Sequence, residues 1–150
     1  SRQHQSDASR SHDRVPMIWM VQPDQVERVW PDVEPMLRLA NERMPPRRST
    51  ADVKQSISDG LTQLWLVVEQ GTIVSATTSV VSKFPTKKVC SLLLTAGRNM
   101  SDWREPVMKA IEVFAKNEGC DEIEMLGPKG WRRLNPDFEH RGEWLVKELN

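Results

Sequence analysis

The sequence predicts an α+β fold with a mainly antiparallel sheet flanked by helices. Three observations carry that expectation. Apolar runs rich in β-branched residues follow one another through the middle of the chain, separated by compact turns. Segments with apolar residues at helical spacing stand on either side of them. The length of 150 residues suits one hydrophobic core rather than two.

The elements follow in order. Met17 to Val21 is a short apolar run stopped by Gln22-Pro23-Asp24, which reads as a strand. From Val26 to Ala40 apolar residues recur at helical spacing, with Pro31 and Pro35 inside the stretch. Each proline removes an amide donor and crowds the preceding turn, so a break or kink is expected there. Pro45-Pro46 ends the helix, and Thr50 is the expected N-cap of a short helix running to Asp59 and stopped by Gly60.

Leu64 to Glu69, the Gln70-Gly71 turn, and Thr72 to Ser82 then read as two strands. A further turn at Phe84 to Lys88 leads into Val89 to Thr95, whose continuous apolar run predicts burial on both faces. Three strands joined by short turns imply an antiparallel meander. An amphipathic helix follows, with Trp103, Val107, Ala110, Ile111, Phe114 and Ala115 on one face. Asp102 and Glu105 fit a capping box, an arrangement that keeps Pro106 in the first turn. After Asn117-Glu118-Gly119 come a strand at Glu122 to Leu126, the Gly127-Pro128-Lys129-Gly130 turn and a short helix from Trp131 to Leu134. A terminal strand is expected around Trp144 to Leu149.

Residues 1–16 contrast with all of this. They are rich in Ser, Arg, His and Asp, with Val15 as their one large aliphatic residue. Such a segment buries too little surface to offset its ordering entropy, so a tail that is disordered or docked on a partner is expected, with the domain occupying residues 17–150. His4 and His12 read as tail residues rather than metal ligands. Met17 either begins the natural chain behind an appended stretch or follows a native tail that orders in an assembly.

Lys plus Arg and Asp plus Glu both number 21, which argues against broad electrostatic binding to nucleic acid or to an anionic membrane. No apolar run approaches the roughly 20 residues of a membrane span. The polar start lacks an apolar signal core, and a cytoplasmic location is the expectation. Cys90 and Cys120 have no metal-ligand spacing and read as free thiols of a reducing compartment.

Two local stretches carry a resemblance. One is Leu92-Leu93-Leu94-Thr95-Ala96-Gly97 running into the Trp103 helix; the other is Gly127-Pro128-Lys129-Gly130-Trp131-Arg132-Arg133-Leu134. With the order of elements from Met17 to Leu149, they resemble the GNAT (N-acetyltransferase) superfamily. The second stretch is similar to a Gly-x-x-Gly-Trp element of small bacteriophage-encoded proteins of that fold, which implies a phage origin and a host-cytoplasm location. The resemblance implies a GNAT-like mixed sheet in which the central meander strand and the strand after the long helix splay apart. It also implies acetyl-CoA or CoA as cofactor, without a metal, lying in that opening with its pyrophosphate on the long helix's N-terminus.

By position, the cofactor residues would be Leu94, Thr95, Gly97, Arg98, Asn99 and Ser101, with Lys129 on the short helix. The family loop reads Gln/Arg-x-x-Gly-x-Gly/Ala, and Gly97 alone remains of it here, while Asp102 stands where it would cap the same amides. Family members often use a Tyr as acid, and this chain has no Tyr. Glu69 and His140 are the candidate catalytic acid–base groups, set against plainer readings as a solvated strand-end carboxylate and an exposed imidazole. Two functions stay open: an acyl-CoA-dependent N-acyltransferase acting on a small-molecule or protein amine, and an inactive GNAT-like phage structural or host-interaction protein. A protein partner or a homo-oligomer through an edge strand near the C-terminus fits either.

Overall fold

The computed structural model describes residues 16–43 and 46–149. The expected polar tail up to residue 15, with His4 and His12, lies outside the described residues, as does Pro45 of the helix-ending pair.

Five strands form one sheet in sequence order: β1 (Met17–Val21), β2 (Gln63–Glu69), β3 (Thr72–Lys83), β4 (Lys88–Gly97) and β5 (Glu122–Met125). The first four are antiparallel neighbours, and β5 joins β4 in parallel. The parallel step follows from the connection, because the long helix α3 (Met100–Asn117) returns the chain to the same end of the sheet. At the β2–β3 turn, Gln70 and Gly71 both take positive φ, 51° and 76°, which matches the twist of a two-residue hairpin. The result is the mixed, mainly antiparallel α+β sheet that the sequence predicts.

Strand alternation places the helices on both faces. Leu64 and Leu66 of β2 meet Val33 and Leu37 of α1 (Val26–Glu42) and Ile57 of α2 (Thr50–Ser58). Trp65 and Val67, pointing the other way, meet Trp103, Val107 and Ile111 of α3. The sheet is therefore the middle of three layers, which explains why β2 and β4 read as unbroken apolar runs. Trp65 also packs edge-on against Phe114, with ring centroids 5.4 Å apart.

Four expectations need correction. Helix α1 runs through Pro31 and Pro35 as one 17-residue element. Both prolines are exposed and lie four residues apart on the solvent face, so the carbonyls they deprive of donors at Glu27 and Pro31 are placed on the wet side. The cap of α2 is Ser49, not Thr50: its hydroxyl accepts from the Asp52 amide while the Asp52 carboxylate accepts from the Ser49 amide. No capping box forms at Asp102 and Glu105, because α3 starts earlier, at Met100, behind Asn99 in the left-handed region at φ 55°. Pro106 consequently sits in the second turn, where its missing donor leaves the carbonyl of exposed Asp102 to water.

The fourth is the terminal strand: Trp144 to Leu149 is irregular and exposed. Arg141 pairs with Glu122 at the start of β5, and the Trp144 ring lies 5.0 Å from the Arg47 guanidinium. These contacts carry the segment toward the α1–α2 loop instead of along the β5 edge.

Candidate functional site

Strands β4 and β5 part company midway. Their pairing covers Val89 to Leu92 against Glu122 to Met125. Beyond it β4 continues to Gly97, still paired with β3, whereas β5 ends and the chain leaves through Leu126, Gly127 and Pro128. A bulge between Thr78 and Ser79 falls at the same level, and the Leu94 amide donates to Thr78 Oγ1 at 3.1 Å. From Leu93 onward the outer edge of β4 therefore lacks a sheet partner among the described residues.

A cavity of about 160 Å³ fills the gap. Leu93, Leu94 and Thr95 form one wall, Leu126, Gly127 and Pro128 the other, and Trp131 and Trp144 close it. A smaller space of about 40 Å³ lies toward α3, bounded by Thr77, Met100, Trp103 and Arg104. Thr95 and Trp131 border both.

Trp131 reaches this position for identifiable reasons. A Cβ at Gly127 would lie 2.5 Å from the Trp131 ring, so only glycine lets the ring settle there. The helix bearing it, α4 (Gly130–Leu134), is tied to α3 by buried Asn135. Asn135 Nδ2 donates to the Trp131 carbonyl at 2.7 Å, and Arg104 Nε donates to Asn135 Oδ1 at 2.8 Å. Arg104 also pairs with Asp137 at 2.9 Å.

At the far end of β4, Gly97 adopts φ 145°. An added Cβ would sit 2.4 Å from the Val74 carbonyl oxygen and 2.6 Å from Ser75 Cα, so the neighbouring strand demands this glycine. The Arg98 amide donates to the Val74 carbonyl at 2.9 Å, and the Arg98 carbonyl accepts from Trp103 Nε1. Asn99 offers α3 no side-chain cap, and without a capping box at Asp102 the amides of Met100 and Ser101 start the helix free of a side-chain acceptor. Such amides, reinforced by the helix dipole, favour an anion.

The expected site residues divide accordingly. Leu94 and Thr95 line the opening, and Gly97, Arg98, Asn99 and Ser101 gather at the uncapped start of α3. Lys129 is exposed one residue beyond Pro128 and lines neither space. Glu69 closes the β2–β3 hairpin opposite Thr72, two strands away from β4, and lines neither space. His140 is exposed beside Arg141, which is anchored at the start of β5, the end away from the opening. Cys90 is fully buried against α3, and burial pushes its thiol up to about 11, which keeps it neutral and inert.

Arg43, Arg47, Arg48 and Trp144 also line the larger cavity, and the sequence reading passed over them. The signal was a local run of cations around a proline pair, hidden inside a chain with no net charge.

No protein-family model matches the chain, and no curated protein matches it. Solved structures do. A ribosomal-protein-alanine N-acetyltransferase from Brucella melitensis biovar Abortus 2308 superposes with a TM-score of 0.68 at 9% identity, covering 91% of this chain and 99% of that one. An aminoglycoside acetyltransferase from an uncultured soil metagenomic sample gives 0.67 at 13% identity, covering 90% and 97%. A predicted acetyltransferase from Clostridium acetobutylicum, solved with acetyl-CoA, gives 0.66 at 16% identity, covering 91% and 96%. The chain therefore has the fold of the GNAT-family acetyltransferases.

Proposed function

We propose that this protein is an acyl-CoA-dependent N-acyltransferase that moves an acetyl-type group onto a small-molecule or protein amine. The parting of β4 and β5 beyond Leu92, with an uncapped helix start at the end of the same strand, carries this reading. The acetyl-CoA held by the Clostridium acetobutylicum protein of the same fold supports the same ligand class here.

The residues present fit that co-substrate. The unpartnered edge of β4 at Leu94 and Thr95 suits an extended amide chain. The Met100 and Ser101 amides, with Arg98 just ahead of them in the chain, suit a pyrophosphate. Lys129 offers a further exposed cation next to the opening. When bound, acyl-CoA supplies an acyl group activated as a thioester.

The protein's own share is binding and orientation. Leu94, Leu126 and Trp131 give the opening apolar walls for the co-substrate's arm. Among the described residues no carboxylate, imidazole or phenol lines the larger cavity, which supports a water path for the proton of the amine. Holding an amine in attack geometry is by itself a large source of rate.

One observation favours the alternative of an inactive scaffold: Gly97, the single glycine between Leu94 and Trp103, is committed to strand packing and does not cradle phosphate. Thiol release from acetyl-CoA, measured over a panel of amines, separates the two. Saturable turnover that falls about tenfold in Arg98→Gln, the worth of one charge-assisted contact, supports transfer. Release that never exceeds the amine-free rate would leave the scaffold.

A further inference from the structure

The larger cavity carries a charge pattern that acyl transfer alone does not use. Its lining is mostly apolar, from Val53, Leu93, Leu94, Leu126 and Trp131, with Asn41, Thr62, Thr78 and Thr95 among them. Its volume of about 160 Å³ is close to the roughly 150 Å³ of an apolar protein cavity that holds benzene. A compact ring or branched chain therefore fits the space.

The mouth is different. Arg43, just after α1, and Arg47 and Arg48, just ahead of α2, line it, and among the described residues no Asp or Glu joins them. Nearby cations on the two helices are already neutralised, Arg38 by Glu34 at 3.2 Å and Lys54 by Glu27 at 2.8 Å. Arg43 and Arg47 make no ion pair with a described residue. Arg48 lies close enough to help hold the Asp52 carboxyl below its usual range, but that carboxylate is engaged with the Ser49 amide at 2.9 Å. Arg47 lies over the Trp144 ring, 5.0 Å from its centroid, a cation–π contact that holds the guanidinium at the mouth. Three cations at one mouth, with no described carboxylate in the lining, raise a positive potential over whatever enters.

We infer that this pocket selects an amine that also carries a carboxylate on a compact apolar body. Arg43, Arg47 and Arg48 hold the carboxylate at the mouth, and the body lies on the helix side of the space against Ala40, Val53 and Leu93, which leaves the Leu94–Thr95 edge to the co-substrate. Calling that molecule the acceptor rests on the acyl-transfer reading; the carboxylate selectivity does not. Polyamines meet three like charges and are turned away.

Tryptophan emission of the full chain is the readout, since Trp131 and Trp144 line the cavity. The probes are phenylalanine, phenylalaninamide and spermidine, titrated into the parent, Arg43→Gln/Arg47→Gln, Arg48→Gln and an Arg28→Gln control on α1 away from the pocket. Thiol release from acetyl-CoA is followed with the same three amines. Phenylalanine should saturate, and the amide and spermidine should bind about tenfold or more weakly, as loss of a charge-assisted pair implies. The double variant should lose about tenfold or more for phenylalanine alone, Arg48→Gln should weaken it too, and added salt should weaken the parent's binding. Arg28→Gln should match the parent.

No saturable phenylalanine binding, equal binding of acid and amide, preference for spermidine, or an unaffected double variant each overturns the inference. Arginine-dependent binding without thiol release from any amine would sink acyl transfer and leave the carboxylate site standing. Turnover indifferent to carboxylate and arginines would do the reverse.

Discussion

Replacing Gly97 with alanine should destabilise the fold well beyond an ordinary loop substitution. Two costs add. The φ of 145° lies in a region that L residues occupy at about 1–3 kcal/mol. The new methyl would meet the Val74 carbonyl oxygen at 2.4 Å and Ser75 Cα at 2.6 Å. Both are backbone atoms of β3, and that carbonyl already accepts from the Arg98 amide, so neither swings aside. Overpacking of this kind adds about 1–3 kcal/mol.

The sum is about 2–6 kcal/mol, against a total of roughly 5–15 kcal/mol for a typical domain. The melting temperature should fall by roughly 5–20 °C, at about 2–4 °C per kcal/mol for this size. Gly119→Ala is the matched control: its φ of 77° carries the strain, but nothing lies within 4 Å of its Cβ. Thermal and urea unfolding of both variants separate the terms. If Gly97→Ala loses no more stability than Gly119→Ala, the assignment of Gly97 to strand packing is wrong.

Other consequences are testable on the same preparations. Burial holds the Cys90 thiol near 11, above the ordinary 9.0, so the unfolded chain gives up its proton first as pH rises. Its contribution is complete below about pH 9 and fades toward pH 11, by up to about 3 kcal/mol. Denaturant unfolding of the parent and Cys90→Ala across that range should converge; parallel curves would show that the thiol titrates normally. Asn135→Ala strips partners from Arg104 Nε and the Trp131 carbonyl, at a cost of about 1–3 kcal/mol, and should also shift Trp131 emission. An unchanged melting temperature would mean that α4 is held by other contacts.

How much was readable in the sequence depended on distance along the chain. The β2–β4 meander and the apolar face of α3 rest on local periodicity and turn residues, so they were recovered close to their true bounds. The errors came where a second constraint entered. Pro31 and Pro35 lie on the wet face of α1, and no local rule says which face a proline will occupy. Trp144 has strand-forming neighbours, yet its ring goes to Arg47, a partner nearly a hundred residues away.

The site split the same way. Leu94, Thr95 and the start of α3 follow from strand–helix order, so the resemblance points to them as the residues proposed to hold the co-substrate. The arginine mouth needs the α1–α2 loop, β4, Leu126 and Trp144 brought together, a juxtaposition that exists only in the folded chain. Glu69, the meander-strand carboxylate nearest the place the resemblance implies, closes the β2–β3 hairpin, and His140 is exposed beside Arg141; neither lines the described spaces.

Titration calorimetry of the full chain with acetyl-CoA decides whether the β4–β5 opening is an acyl-CoA site. One-to-one saturable binding with a Kd below about 1 mM, or about −4 kcal/mol, is expected. Arg98→Gln should weaken it about tenfold while leaving the melting temperature in place. Absence of saturable heat at millimolar acetyl-CoA, from protein shown to be folded, would contradict it.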